Sequence, residues 1–154
     1  MSAPESEDDL ANTRFVIGIE LAARDLYRAA IEAGATGSAW AILANQHGSY
    51  AQRMAGLTGL SADTRDSTVY DDRVAAFQSD RPANAAYELE NTLIATHATL
   101  LGQIVDARLA DALASVVSME SRHAAYLAER SGRGGNFDAL FTCTGTPLIR
   151  AVVP

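Results

Sequence analysis

Lysine is absent. All twelve basic residues are arginine, set against nineteen aspartates and glutamates, and the formal net charge is −7. No basic cluster stands out from that acidic balance. The chain lacks the concentrated positive charge that phosphate recognition needs, so nucleic acid is excluded as an expected partner. The same deficit argues against an anionic membrane surface. Long apolar runs are missing too, and none approaches the roughly 20 residues needed to cross a bilayer. A single cysteine, Cys143, leaves no internal disulfide to form. Met1 to Asp9 is acidic, with neither the basic nor the apolar stretch of a secretory leader. These absences together predict a soluble cytoplasmic protein with no membrane span. Aromatics make up only 6% of the residues, so the core has to be aliphatic and alanine-rich, a mix that favours closely packed helices.

What is present is helical periodicity. At 154 residues the chain is about one domain, large enough to bury a core without disulfides. Residues 1–9 read as a disordered acidic lead-in. A first helix is predicted over Leu10 to Ala33, with the apolar stripe Val16, Ile19, Ala23, Leu26, Ala30 at spacings of three and four. Gly34 and Gly37 end it, and Ser38 is the expected cap of a second helix over Ala39 to Leu57. A polar connection follows from Leu60 to Arg81, with a short helix expected over Asp71 to Gln78. Asp80-Arg81-Pro82 is a helix start, with Asp80 as the cap residue and proline in the first turn. The third helix is predicted over Ala83 to Val105. Asp106 is the expected cap of a fourth, over Ala107 to Glu129. Residues 10–131 therefore form the predicted all-α domain, an antiparallel four-helix bundle with one long crossover. Residues 132–154 form an irregular tail packed along the outside of the bundle.

The chemistry lies where polar residues interrupt the apolar stripes. Glu20 falls between Val16 and Ala23, His47 between Ala44 and Ala51, Glu90 between Ala86 and Leu93. Glu120 and His123 fall between Val117 and Leu127. Each predicted helix thus turns at least one candidate ligand inward. A buried carboxylate is unfavourable unless it is paired or bound to metal, and three of them beside two histidines suit a shared cation. Glu120 and His123 form Glu-x-x-His, which puts both side chains on one helical face. Two-metal helix bundles draw a glutamate from each of two helices and Glu-x-x-His from each of the other two. The two halves of the chain also echo one another. Glu20 precedes Tyr27 by seven residues and Glu90 precedes His97 by seven, while His47-Gly48-Ser49-Tyr50 parallels His123-Ala124-Ala125-Tyr126.

With these motifs the stretch from Leu10 to Glu129 resembles the ferritin-like superfamily, in its rubrerythrin and bacterioferritin branch. Met119-Glu120-Ser121-Arg122-His123-Ala124-Ala125-Tyr126-Leu127 is similar to uncharacterised bacterial ferritin-like domain proteins. The resemblance implies that Glu20 and Glu90 are the terminal ligands of two ions. It implies that Glu120 bridges them and that His123 and His47 are nitrogen ligands. Tyr27 and His97 are candidates for backing these ligands. The chain departs from the pattern at Ala44, which stands where a bridging glutamate belongs. Asn45 and Gln46 lie about 100° and 200° further round the helix and are no natural substitutes. Glu90, Glu120 and His123 then form the complete half-site, and Glu20 with His47 the poorer one. Three readings stay open: a single ion, an altered pair with water or His97 filling in, or a metal-free polar network.

The expected function is that of a ferritin-like protein holding one or two iron or manganese ions, with redox chemistry toward dioxygen or peroxide if it is catalytic. The alternative is a metal-free pseudo-ferritin serving as a helical scaffold. A homodimer or another protein partner is expected in either case. Tyr50, Tyr126 and Trp40 read as ordinary core or core-edge residues, and Cys143 as unreactive. Arg24, Arg28 and Arg122 are placed by their helical phase away from the core.

Overall fold

Ser6 opens the first helix, its hydroxyl accepting a hydrogen bond from the Asp9 amide at 3.0 Å. The computed structural model describes residues 6–151. Helix α1 spans Glu7–Glu32, and Glu7, Asp8 and Asp9 fill its first turn, where acidic side chains suit the helix dipole. The lead-in expected over residues 1–9 therefore ends sooner: residues 1–5 lie outside the described residues, and 7–9 are helical. Asp9 is the reason. Its buried carboxylate accepts from the amides of Val105 at 3.0 Å and Asp106 at 2.8 Å, which ties the first turn into the fold.

Helix α2 spans Ser38–Thr58. Its cap position is Gly37, without a side-chain bond, so Ser38 is the first helical residue rather than the expected cap. Gly59, in the left-handed region at φ 71°, closes it. The connection then runs back along α1, with the Asp66 amide donating to the Gly18 carbonyl at 2.9 Å. Two short helices replace the one expected there: α3 over Ser67–Asp71, capped by Asp66, and α4 over Val74–Phe77. They bury Val69 and Phe77.

Helix α5 spans Pro82–Leu101. Asp80 is not its cap; Arg81 occupies that position with no side-chain bond. The expected extension to Val105 does not form. The Val105 and Asp106 amides are given to Asp9 instead of to the preceding turn, and Gly102 takes the last cap position. Helix α6 spans Ala107–Arg130, and Asp106 caps it by accepting from the Arg108 and Leu109 amides. The tail is not irregular throughout, because Asn136 caps a five-residue helix, α7, over Phe137–Phe141. Beyond α7 the tail lies on α5. Cys143 Sγ approaches the Asn91 carbonyl at 3.3 Å, the Thr144 amide donates to Asn91 Oδ1 at 3.2 Å, and the Leu148 amide donates to Thr96 Oγ1 at 2.9 Å.

All regular structure among the described residues is helical, and no helix there is long and apolar enough to cross a membrane. Helix α1 packs along α2 and α5 along α6, while α2 meets α6 and α1 meets α5. Two apolar clusters result. One gathers Ile19 to Ala30 of α1, Leu43 and Ala44 of α2, Ala86 to Leu93 of α5 and Leu127 of α6, together with Phe77. The other gathers Val16, Ile17 and Leu21 of α1, Ala51 to Ala55 of α2, Leu100 of α5 and Leu109 to Val116 of α6. On each long helix the polar interruption falls between or beside the stretches that feed the two clusters, so a polar layer separates them.

Candidate metal centre

Six side chains make up that layer: Glu20 from α1, His47 from α2, Glu90 and His97 from α5, and Glu120 and His123 from α6. Five are fully buried and His123 is 5% exposed. All five residues expected as ligands are thus brought together, and His97 stands among them as an equal member. On α5 it lies two turns after Glu90, so both reach the same layer.

The hydrogen bonds are short and internal. His47 Nδ1 lies 2.7 Å from Glu20 Oε2 and its Nε2 lies 3.0 Å from Glu90 Oε1, so the ring bridges α1 and α5. His97 Nδ1 lies 2.9 Å from Glu120 Oε2. The Tyr27 hydroxyl donates to Glu90 Oε1 at 2.5 Å, and its ring stacks on His47 with centroids 5.4 Å apart. His123 gives Nε2 to Gln46 Oε1 at 2.7 Å and turns Nδ1 toward Glu90 Oε1 at 3.4 Å. Arg24, Arg28 and Arg122 stay outside the layer, as their helical phase implies. Arg24 and Arg28 pair with Asp25, and Arg122 lies exposed against Met119.

Burial and charge divide the proton inventory unequally. Burial is the largest influence on His47 and opposes its charge, but the Glu90 and Glu20 carboxylates together outweigh it and hold the imidazole well above the usual histidine range. Burial likewise works to raise Glu90, yet the His47 charge, with the His123 and His47 contacts, holds its carboxyl down to about 2. For His97 burial wins and favours the neutral ring. Glu120 is pushed well above the carboxylate range by burial and by the nearby Glu20 and Glu90 charges.

Five polar atoms of the layer have no hydrogen-bond partner: Glu20 Oε1, Glu90 Oε2, Glu120 Oε1, His97 Nε2 and His123 Nδ1. Their arrangement explains why. Glu20 and Glu120 face one another, and such a pair needs a proton or a cation between its oxygens. His97 Nε2 stands 3.3 Å from Glu20 Oε1. His123 gives Nε2 to Gln46 and leaves Nδ1 facing Glu90 Oε1 at 3.4 Å. Lone pairs converging in a buried site are what a metal ion accepts.

The donors fall into two sets, His47 with Glu90 and His123, and Glu20 with His97 and Glu120. In each set, one ligand atom per residue lies within 4.8 Å of the others. This is not the division expected from the sequence, which grouped Glu90, Glu120 and His123. Residues three apart on a helix differ by about 60° in direction and 4.5 Å in rise, so Glu120 and His123 serve neighbouring sets rather than one. Ala44 is packed in an apolar cluster, 2% exposed. Gln46, set aside on its helical angle, is no ligand, but it orients His123 from the outside. Its direction toward α6 is the signal that single-helix periodicity does not contain.

No protein-family model matches the chain, and no curated protein or solved structure does.

Proposed function

We propose that this protein is a ferritin-like metal-binding protein whose two carboxylate–imidazole sets hold one or two iron or manganese ions. The convergence of unpartnered lone pairs carries the reading. An unmet buried donor or acceptor costs roughly 1–3 kcal/mol, so atoms left open in this way favour a bound ion or a shared proton. A water molecule or the Glu120 proton can meet some of them, and His47 offsets part of the carboxylate charge, but the oxygens of Glu20 and Glu120 that face one another still suit a cation.

The order in which the helices visit the two apolar clusters supports the ferritin-like part. Helix α1 runs from the Leu109 cluster toward the Leu127 cluster, α2 returns, α5 repeats the direction of α2, and α6 returns again. Two consecutive helices in the same sense require a connection the length of the molecule, and residues 59–81 are that connection. That order of directions supports reading the chain as the one-crossover form of a four-helix bundle.

Bound there, such ions would supply one-electron chemistry toward dioxygen or peroxide. The chain's own part is to present three carboxylates and three imidazoles, with Gln46 fixing His123 and Tyr27 fixing Glu90, and to keep bulk water out. A second reading, a metal-free helical scaffold, is favoured by the His47 bridge, which satisfies both ring nitrogens without an ion. The two are separated by elemental analysis of protein loaded anaerobically with ferrous iron or Mn(II) and then desalted. One or two ions per chain is the expected result; a folded protein that retains none refutes the metal reading.

A further inference from the structure

Away from the polar layer, the end of the bundle where α1 and α6 finish and α2 and α5 begin is hollowed into a cavity of about 570 Å³. Small-molecule sites commonly span roughly 300–1,000 Å³. Trp40, the sole tryptophan of the chain, is in its lining. The indole packs against buried Tyr27 with ring centroids 5.7 Å apart, which holds it in place. Asn84, also in the lining, accepts from Arg133 at 2.9 Å, and Arg133 lies 4.8 Å over the Tyr87 ring. These walls are therefore fixed by the protein itself.

The charged groups of the lining are Arg81, Arg130 and Asp80, two positive and one negative, in a chain whose formal net charge is −7. Most arginines among the described residues are engaged. Arg24 and Arg28 pair with Asp25, Arg65 with Asp25 and the Tyr70 ring, and Arg108 with Asp106. Arg81 and Arg130 are exposed, and neither has a side-chain hydrogen bond, an acidic partner or an aromatic face among the described residues. Even Asp80, next to Arg81 in the chain, forms no ion pair with either. Arg14 and Arg150, also unpaired, share a smaller groove of about 440 Å³ along the tail, whose lining holds no tryptophan or tyrosine. Two unpaired guanidiniums at one cavity repel each other, and a shared anion relieves both.

We propose that this cavity binds a small phosphate ester carrying a flat ring, of the size of a nucleoside monophosphate, with the phosphate on Arg81 and Arg130 and the ring against Trp40. Guanidinium forks match phosphate oxygens in pairs, and an aromatic face is a platform for a flat ring. Inorganic phosphate alone would leave Trp40 and most of the cavity unused. The acidic surface repels a long phosphate backbone, but it does not bar one phosphate held at contact distance, because exposed charges beyond about 8 Å are screened at physiological salt. The site is separate from the carboxylate–imidazole layer and does not rest on the metal-binding reading.

AMP is the probe, and adenosine and inorganic phosphate are its two halves. Protein freed of metal with a chelator and desalted is titrated with each, followed by calorimetry and by Trp40 emission. The expected result is saturable AMP binding, with adenosine and phosphate each weaker by about tenfold or more. Arg81→Gln combined with Arg130→Gln should weaken AMP by about tenfold or more with unchanged circular dichroism; the two single variants keep the test if the double one does not fold. No saturable AMP binding overturns the proposal. Equal affinity in the arginine variants also overturns it, since the phosphate would then lie elsewhere. Phosphate binding as tightly as AMP, or AMP binding that leaves Trp40 emission unchanged, overturns it because the ring would have no part. Metal content is counted separately, so none of these outcomes bears on the metal reading.

Discussion

Glu120→Gln separates the metal-free fold from the metal site. With no ion present, burial and the charges of Glu20 and Glu90 favour the protonated form of Glu120, and glutamine is the permanent neutral shape of that form. The amide still reaches His97, whose Nδ1 lies 2.9 Å from the existing carboxyl. Metal-free stability of the variant should therefore stay within about 1 kcal/mol of wild type at low pH. The pH dependence should diverge. A group whose folded value is raised contributes stability fully below its unfolded value of 4.5 and loses it as pH rises toward the folded value. The wild type should thus lose up to about 1.4 kcal/mol per pH unit above 4.5 that the variant does not. His47 and Glu90 titrate in both proteins, so the difference between the two curves reports Glu120 together with its coupling to them. Metal uptake should move the other way. An anionic ligand is gone, and the affinity should fall by at least the roughly 10- to 100-fold that loss of an outer hydrogen-bond partner produces. Urea titrations at several pH values, with ferrous or Co(II) binding beside them, test both halves. Parallel stability curves with unchanged metal affinity would refute the placement of Glu120 among the ligands.

Two other substitutions probe the surroundings. Gln46→Leu removes the acceptor for His123 Nε2 at 2.7 Å; metal affinity should drop roughly 10- to 100-fold, and an unchanged affinity by competition with a chelator would show that His123 needs no such anchor. At Gly145 an added Cβ would fall 2.0 Å from the Asn91 carbonyl oxygen, in backbone that cannot give way cheaply. Gly145→Ala should lift the tail from α5 at a cost of roughly 1–3 kcal/mol, read as faster proteolysis between Thr142 and Ala151 with metal content unaltered; unchanged cleavage would mean that the tail is not seated there.

The inward position of Glu20, His47, Glu90, Glu120 and His123 was legible because each breaks an apolar stripe of helical period, and burial follows from phase alone. The division of these residues between two ligand sets was not legible, since it depends on which way neighbouring helices lean their side chains across the layer. His97 shows the limit well. Its phase relative to Glu90 was visible, but its place beside Glu20 and Glu120 comes from contact between α5 and its neighbours. Gln46 was rejected by a test confined to one helix, whereas its partner stands on another. The helix ends missed at Glu7 and Leu101 share one cause, the carboxylate of Asp9, whose bonds cross to residues 96 and 97 positions away. The short α3, α4 and α7 are each four or five residues long, too brief for periodicity to register.

That Asp9 clasp has a kinetic side. Its two hydrogen bonds span most of the chain, so they close only after α5 and α6 have docked, and the chain entropy of so long a loop is lost before they form. They also couple fraying at two distant ends. When the first turn of α1 peels away, the Val105 and Asp106 amides lose their acceptor and the start of α6 loosens with it. In hydrogen exchange these two segments are expected to open as one unit, although nearly a hundred residues separate them in the chain.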